Sequence, residues 1–313
     1  MKISGFTFVR NAIRLDYPVV ESIRSILPLV DEFVVNVGES DDGTLDLVRG
    51  IGDPKVRIVE SRWNPNLSSG GYVLAQQTNV ALFNCTGVWA IYLQADEAVH
   101  EGDHEWLRGM MTRYAADDRV EGLALRRLTF VGDYRTLVNV HPFYRDLICR
   151  VVKPHRFVLS RGDAAGFTVH PKYKERGHRI RVVDTGLDFF HYENVRSHTQ
   201  SLAFRAEKGQ FWVNGAGGGA DALTDAYALH PRRFVTLFNG GHPASMAARV
   251  EAHDVHLDFD SPRWRSQLTP RERKRQLRTA LTRVLGYRAA GSGGRQVVAS
   301  HRGDPGATLR HDY

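Results

Sequence analysis

Cysteine is nearly missing from this chain of 313 residues: Cys85 and Cys149 are the only two, far apart in sequence. Two thiols build neither a disulfide framework nor a zinc-ligand set, so a reducing compartment is the simpler setting. A run of about 18 apolar residues is also missing, which excludes a spanning helix. Met1-Lys2-Ile3 leads straight into a strand-like stretch, without the charged, apolar and small-residue regions of a signal peptide. A cytoplasmic protein is therefore expected. No internal repeat is visible.

What is present is ordinary for a globular protein, with 42% hydrophobic and 25% charged residues. That excludes a disordered or fibrous chain. The length suits one large domain or two smaller ones, able to bury a core unaided. The net charge of +7 first suggests an acidic polymer as partner. The charge is uneven, however. Residues 263–313 hold 12 Lys/Arg against 3 Asp/Glu, or +9, whereas residues 1–262 hold 30 against 32, or −2. The bulk of the chain is a mildly acidic globule with a basic appendage.

The first hundred residues alternate strand and helix signals. Strands are expected at Ile3 to Val9, Phe33 to Val37, Val56 to Glu60 and Val88 to Leu93. Helices are expected around Val19 to Leu27, after Thr44, and over 71–84. Such alternation implies a parallel sheet with right-handed crossovers, whose ligands sit beyond the carboxyl ends of the strands. Three strands end in polar or acidic turns: Arg10-Asn11, Glu39 to Asp42, and Asp96-Glu97. Parallel strands would gather these turns on one edge. Pieces at Gly122 to Leu128, Leu147 to Val152 and Ile180 to Val183 read as an antiparallel or mixed extension. A helix is expected over 196–212.

Asp96 and Glu97 directly follow the hydrophobic run Trp89 to Leu93. A carboxylate there suits a hard divalent cation, since Mg²⁺ and Mn²⁺ take carboxylate and phosphate oxygens. Such a cation would neutralise a diphosphate leaving group. Acidic residues that merely cap a strand-to-helix turn fit the same spacing.

At this point the chain resembles a family. Phe6-Thr7-Phe8-Val9-Arg10-Asn11-Ala12, Tyr17-Pro18, Ser25-Ile26-Leu27-Pro28, Ser40-Asp41-Asp42-Gly43-Thr44 and Tyr92-Leu93-Gln94-Ala95-Asp96-Glu97 look like the nucleotide-binding half of bacterial family 2 glycosyltransferases. Looser matches follow at Gly162 to Phe167, His191-Tyr192 and Gly241-His242-Pro243. The resemblance implies an α/β fold of GT-A type: a Rossmann-like mixed sheet flanked by helices, here with a helical C-terminal extension. It implies a glycosyltransferase domain over 1–245, with a nucleotide-sugar half (1–104) and an acceptor half (105–245). An extension over 246–288 and a disordered tail over 289–313 would follow.

The resemblance also implies transfer of a sugar, usually with inversion, from a UDP- or GDP-linked donor to a hydroxyl of a glycan or lipid-linked acceptor. Mn²⁺ or Mg²⁺ would assist. Asp96 corresponds to the last Asp of the Asp-X-Asp metal motif, with Gln94 in place of the first. His191 would complete the metal site, and Glu97 is a further candidate ligand. Thr7, Arg10, Asn11, Asn36, Glu39, Asp42, Gln94 and Ala95 are the expected donor contacts. The early Asp that usually touches the base is absent, Val37 and Gly38 standing in its place, so Glu39 or Asn36 would take over.

Inverting transfer needs a general base for the acceptor hydroxyl. Asp163, flanked by small residues that let a sugar approach, is the preferred candidate, although Gly-Asp is also a plain turn signal. Asp133, Asp146 and Asp188 are rivals. Gly215 to Gly219 reads as a surface loop rather than a lid. Thr269, Pro270 and Glu272 mark a helix start with a capping box. Residues 271–288 then form a basic amphipathic helix with Leu277, Leu281, Val284 and Leu285 on one face. Such a helix either packs its apolar face on the main domain or lies on an anionic membrane from the cytoplasmic side. Nucleic acid is the weakest reading, as no binding motif or stacking aromatics accompany the charge.

Two other functions compete. A nucleotidyltransferase needs a Gly-rich basic phosphate loop after the first strand, where this chain has Phe8-Val9-Arg10-Asn11. A catalytically degenerate GT-A-like protein that binds membranes or polyanions is left open by Gln94.

Overall fold

The computed structural model describes residues 1–67, 69–140, 146–170, 177–210, 226–285 and 295–301. Residue parity along the first strands decides the packing. In β1 (Ile3–Val9), Ile3 and Val9 join one core, against α1 (Val19–Ile26). Phe33, Val35 and Val37 of β2 (Glu32–Gly38) belong to that core, as do Trp89 and Ile91 further on. Phe6, Val34, Ala90 and Tyr92 point the other way, into a second core with Ala81 and Leu82. This is the two-residue period of a strand read on both faces, as expected of a sheet covered on both sides. Val19, Ile23 and Ile26 are fully buried at helical spacing and bring α1 onto the first face.

The chain continues through α2 (Thr44–Arg49), β3 (Val56–Ser61), α3 (Tyr72–Leu82) and β4 (Trp89–Tyr92). The order β3-β2-β1-β4 is parallel throughout. After the two-residue β5 (Glu97–Ala98) and α4 (His104–Tyr114), the sheet turns mixed. β6 (Gly122–Val131) pairs with β7 (Thr136–Val138) and with β8 (Asp146–Val152), which runs antiparallel to β4. β9 (Val158–Arg161) and β10 (Gly166–Val169) form a hairpin leading to the long β11 (His178–Asn194). The path β3-β2-β1-β4-β8-β6-β11-β10-β9 is one curled sheet. The expected α/β class, with a parallel first half and a mixed extension, is the fold observed.

The C-terminal part supplies α5 (His198–Gln210), α6 (Ala226–Leu229), β12 (Val235–Leu237), α7 (Ala247–Glu251) and α8 (Pro270–Leu285). The capping box of α8 forms as read: Thr269 N–H donates to Glu272 Oε2 at 2.8 Å and Glu272 N–H to Thr269 Oγ1 at 3.3 Å. One expectation is corrected. Within the stretch assigned to a disordered tail, β13 (Arg295–Ser300) runs parallel to β11, from Ile180↔Arg295 to Asp184↔Ser300. The run is too short to show periodicity, and its pairing comes from a distant strand. His301 closes it, its Nε2 2.7 Å from the Tyr114 hydroxyl. Gly215 to Gly219 and the rest of that tail lie outside the described residues.

Candidate functional site

A cavity of about 230 Å³ opens at the carboxyl ends of β1 and β4. Arg10, Gln94, Ala95, Asp96, Asp163 and His191 all line it. Sequence positions from four separate turns and strand ends thus meet. Trp63, Arg127, Glu193, Phe204 and Glu207 also face it. Trp63 is seated by Gly38, where a β-carbon would collide with the indole.

Asp96 is buried, with His191 Nε2 3.8 Å from Oδ1 and Arg196 Nη2 3.6 Å from Oδ2. Burial pushes the Asp96 carboxyl up, against the pull of His191 and Arg196. Burial likewise pushes the His191 imidazole down, so the ring is neutral at physiological pH. His191 Nδ1 and both Arg196 Nη atoms are buried with no hydrogen-bond partner among the described residues. Arg196 is held by Leu15 O at 2.8 Å and by the rings of Phe204 and Tyr17, 4.1 and 4.9 Å from its guanidinium carbon. Among the described residues no three His, Cys, Asp or Glu side chains form a ready cation cage. One carboxylate and one neutral imidazole nevertheless fit a cation that takes further ligands from a phosphate.

Glu97 is a different case, and the expectation of a metal ligand is corrected. Its carboxylate accepts Arg150 Nε at 2.8 Å and Nη2 at 2.5 Å, and also the Gln94 N–H at 3.0 Å. Both side chains are essentially fully buried and Glu97 is not part of the cavity wall. Asp96 closes the turn after β4 and Glu97 opens β5, and the two neighbouring side chains part, one to the cavity and one to Arg150.

The expected donor contacts divide. Arg10, Gln94 and Ala95 face the cavity. Asn11, in the left-handed region at φ 52°, donates Nδ2 to both Glu207 oxygens at 2.8 Å, and Arg10 Nη1 lies 3.5 Å from the same carboxylate. Thr7 is fully buried in β1 and Asn36 in β2, where Asn36 Nδ2 donates to Gln77 Oε1 at 2.8 Å. Neither reaches the cavity. Asp42 lies just before α2 and accepts the Thr44 N–H at 3.1 Å and the Arg14 N–H at 2.9 Å. Although burial pushes its carboxyl up, these hydrogen bonds hold it below the usual range. Glu39 lines a separate open cavity beside Arg62. The turn after β2 lies against the turn after β1, with Arg10 Nε donating to Glu39 O at 3.1 Å and Asn11 N–H to Ser40 Oγ at 3.0 Å, but of the three turns only those after β1 and β4 line the cavity.

Asp163 sits between Gly162 (φ 61°) and Ala164 (φ 62°), both left-handed. A left-handed alanine is uncommon and costs about 1 kcal/mol or more, so the surrounding fold imposes this turn. It presents an exposed carboxylate, whose Oδ1 accepts, among the described residues, only a long bond from Ala165 N–H at 3.3 Å. The rivals are committed elsewhere. Asp188 is fully buried in a two-point pair with Arg126, at 2.5 and 2.6 Å. Asp133 accepts backbone N–H groups of Arg135 and Leu257 at 2.9 and 2.8 Å. Asp146 pairs with Arg127 at 2.5 Å.

His242 of the Gly-His-Pro segment is structural: Tyr192 OH is 2.9 Å from Nδ1, and Phe130, Phe190 and Phe238 surround the ring. Glu193 and Arg196 were not read from sequence. Their signal is the one that exposed Asp96, charges at the carboxyl end of a buried strand: Glu193 is next to last in β11 and Arg196 follows that strand by two residues. Glu207 had no such signal, because α5 carries it in from far along the chain.

No protein-family model matches the chain, and no curated protein matches it. Solved structures with a similar course of the backbone include S. aureus TarS 1-349 in complex with UDP-GlcNAc, at 14% identity and a TM-score of 0.40 over 66% of this chain and 64% of that one. S. aureus TarS shows 12% identity and a TM-score of 0.38, over 66% of this chain and 39% of that one. Glucosyl-3-phosphoglycerate synthase from Mycobacterium tuberculosis, with Mn²⁺, UDP and phosphoglyceric acid, shows 16% identity and a TM-score of 0.29, over 41% and 43%. The chain spans less than two thirds of the length of each of these three.

Proposed function

We propose that the chain is an inverting glycosyltransferase that moves a sugar from a UDP- or GDP-linked donor to a hydroxyl of a glycan or lipid-linked acceptor. The observation that carries this reading is the single cavity walled by Arg10, Asp96, Asp163 and His191 at the strand carboxyl ends. Arg10 offers a guanidinium to the diphosphate. Asp163 takes the proton of the acceptor hydroxyl as its oxygen attacks the anomeric carbon. The left-handed residues on both sides of Asp163 keep it at the cavity mouth. Asp96 and His191 would hold Mn²⁺ or Mg²⁺, which when bound neutralises the departing diphosphate. Arg196 stands 3.6 Å from the other Asp96 oxygen and balances its charge.

The test is calorimetric titration of UDP and GDP with and without Mn²⁺, beside sugar transfer by wild type, Asp96→Asn and Asp163→Asn. Metal-strengthened nucleotide binding, weakened by Asp96→Asn, is expected. Undiminished transfer by both variants would remove the assigned roles.

We further propose peripheral contact of α8 with the cytoplasmic membrane face. Leu277, Leu281 and Val284 are 62%, 47% and 82% exposed rather than packed on the main domain, beside exposed Arg271, Arg273 and Lys274. Such a face favours anionic lipid. No helix of the described residues is long and apolar enough to cross a membrane. Cosedimentation with phosphatidylglycerol vesicles, lost with Leu277→Ser/Leu281→Ser, is the expected result.

A further inference from the structure

One carboxylate of the donor cavity stands on the groups that a diphosphate would need. Glu207, from α5, accepts Asn11 Nδ2 at 2.8 Å on both of its oxygens and lies 3.5 Å from Arg10 Nη1. A carboxylate and a phosphate offer the same chemistry here, paired anionic oxygens matched to N–H donors and a guanidinium. Arg10 keeps its place without Glu207. Its Nε donates to Glu39 O at 3.1 Å, and its guanidinium carbon lies 5.4 Å from the centre of the Trp63 ring. Asn11 is buried, and its backbone N–H donates to Ser40 Oγ at 3.0 Å. The seat is thus built by the turns after β1 and β2, whereas its occupant arrives from α5.

That occupant is lightly held. No described side chain of α5 is buried. Besides Glu207, its hold on the site is Phe204, whose ring lies 4.1 Å from the Arg196 guanidinium carbon and meets the Tyr17 ring edge-on at 6.0 Å. A helix with so few buried contacts opens locally at low cost. The cavity wall also carries Asp96, Asp163, Glu193 and Glu207 against Arg10 and Arg127, so an entering diphosphate meets a surplus of carboxylates.

From this geometry we infer that Glu207 is an internal competitor of the donor: its carboxylate holds the diphosphate's place on Arg10 and Asn11, and the donor binds by displacing α5. The inference rests on the transferase reading and adds what sets its donor affinity. As the diphosphate enters, Arg10 and Asn11 exchange the carboxylate for phosphate oxygens. Phe204 leaves with Glu207 and uncovers Arg196, whose two Nη atoms are buried with no hydrogen-bond partner among the described residues. After transfer, the returning carboxylate helps to expel the nucleoside diphosphate. Donor affinity is lowered by the fraction of molecules in which Glu207 is seated.

The test is calorimetric titration of UDP, GDP and inorganic pyrophosphate, each with Mg²⁺, into the full chain and into Glu207→Gln. Glutamine keeps the size and helix preference of glutamate and removes its charge. Pyrophosphate and at least one of the two nucleotides should bind the variant about tenfold or more tightly than the wild type. Uridine and guanosine, which lack the diphosphate, should gain nothing. Hydrogen exchange gives a second readout on the unaltered chain: saturating pyrophosphate should speed exchange of the α5 amides. Anion binding that is unchanged or weaker in Glu207→Gln, an equal gain for the bare nucleosides, or α5 amides unchanged or slowed by pyrophosphate would each overturn the proposal. Tightened pyrophosphate binding with neither UDP nor GDP bound would count against the transferase reading alone. Absence of binding by all three anions to both proteins would overturn both.

Discussion

Replacing Arg150 by Met should destabilise the protein more than any change at its surface. Arg150 is 1% exposed, its guanidinium carbon lies 5.2 Å from the Tyr92 ring and 5.0 Å from that of Phe189, and it gives Glu97 two hydrogen bonds. Removing it strands a buried carboxylate with only the Gln94 N–H as partner. Breaking one side of such a pair costs about 3–5 kcal/mol. That is a large part of the roughly 5–15 kcal/mol that holds a domain together. Arg150→Met/Glu97→Leu removes both charges and should recover most of the loss, since an apolar pair of similar volume is often neutral or better. Urea unfolding of the wild type, both single variants and the double closes the cycle, with a coupling energy of about 2 kcal/mol or more. The change also reaches the site, because Arg150 Nη1 donates to Ala165 O at 3.2 Å and so anchors the turn of Asp163. Transfer should therefore slow in the double variant while nucleotide affinity holds. A loss below about 1 kcal/mol for Arg150→Met, or a double variant as unstable as the single, would refute this reasoning.

Asp163→Asn should lower kcat by about 10²–10⁴ with UDP or GDP affinity unchanged, which steady-state rates beside calorimetry will show. Burial pushes the Glu32 carboxyl up, but hydrogen bonds from Ser4 and Thr86 outweigh it and hold the group at about 2. A carboxyl lowered on folding stabilises above its unfolded value of about 4.3 and loses that contribution as pH falls towards 2. Glu32→Gln should flatten the loss of stability in this window, as read by urea midpoints at stepped pH. Thr269→Ala removes the reciprocal cap of α8 and should cost about 1 kcal/mol, visible as faster amide exchange in its first turn.

The layers of the fold were legible because they depend on local periods: alternate residues of β1, β2 and β4 face opposite cores, and α1 repeats Val19, Ile23 and Ile26. β13 was hidden because its pairing depends on β11, more than a hundred positions away. The carboxylates were the hard part, and for one reason. Asp96, Glu97, Asp163 and Asp188 look alike in sequence, each a carboxylate close to a strand-like run. Their fates differ by the cation each one meets. Arg150 closes on Glu97 with two hydrogen bonds, and Arg126 closes on Asp188 with two more. A buried carboxylate so paired would have to leave its guanidinium to reach a ligand, and breaking such a pair costs about 3–5 kcal/mol. Asp96 has the Arg196 guanidinium at 3.6 Å and the His191 ring at 3.8 Å, neither within hydrogen-bond reach, and Asp163 has no side-chain cation bound to it among the described residues. Arg126 and Arg150 both lie in strands of the mixed half, beyond the segment where the family resemblance is strongest. The long-range ion pairs therefore tie up Glu97 and Asp188 and leave Asp96 and Asp163, both on the wall of one cavity, with oxygens to offer.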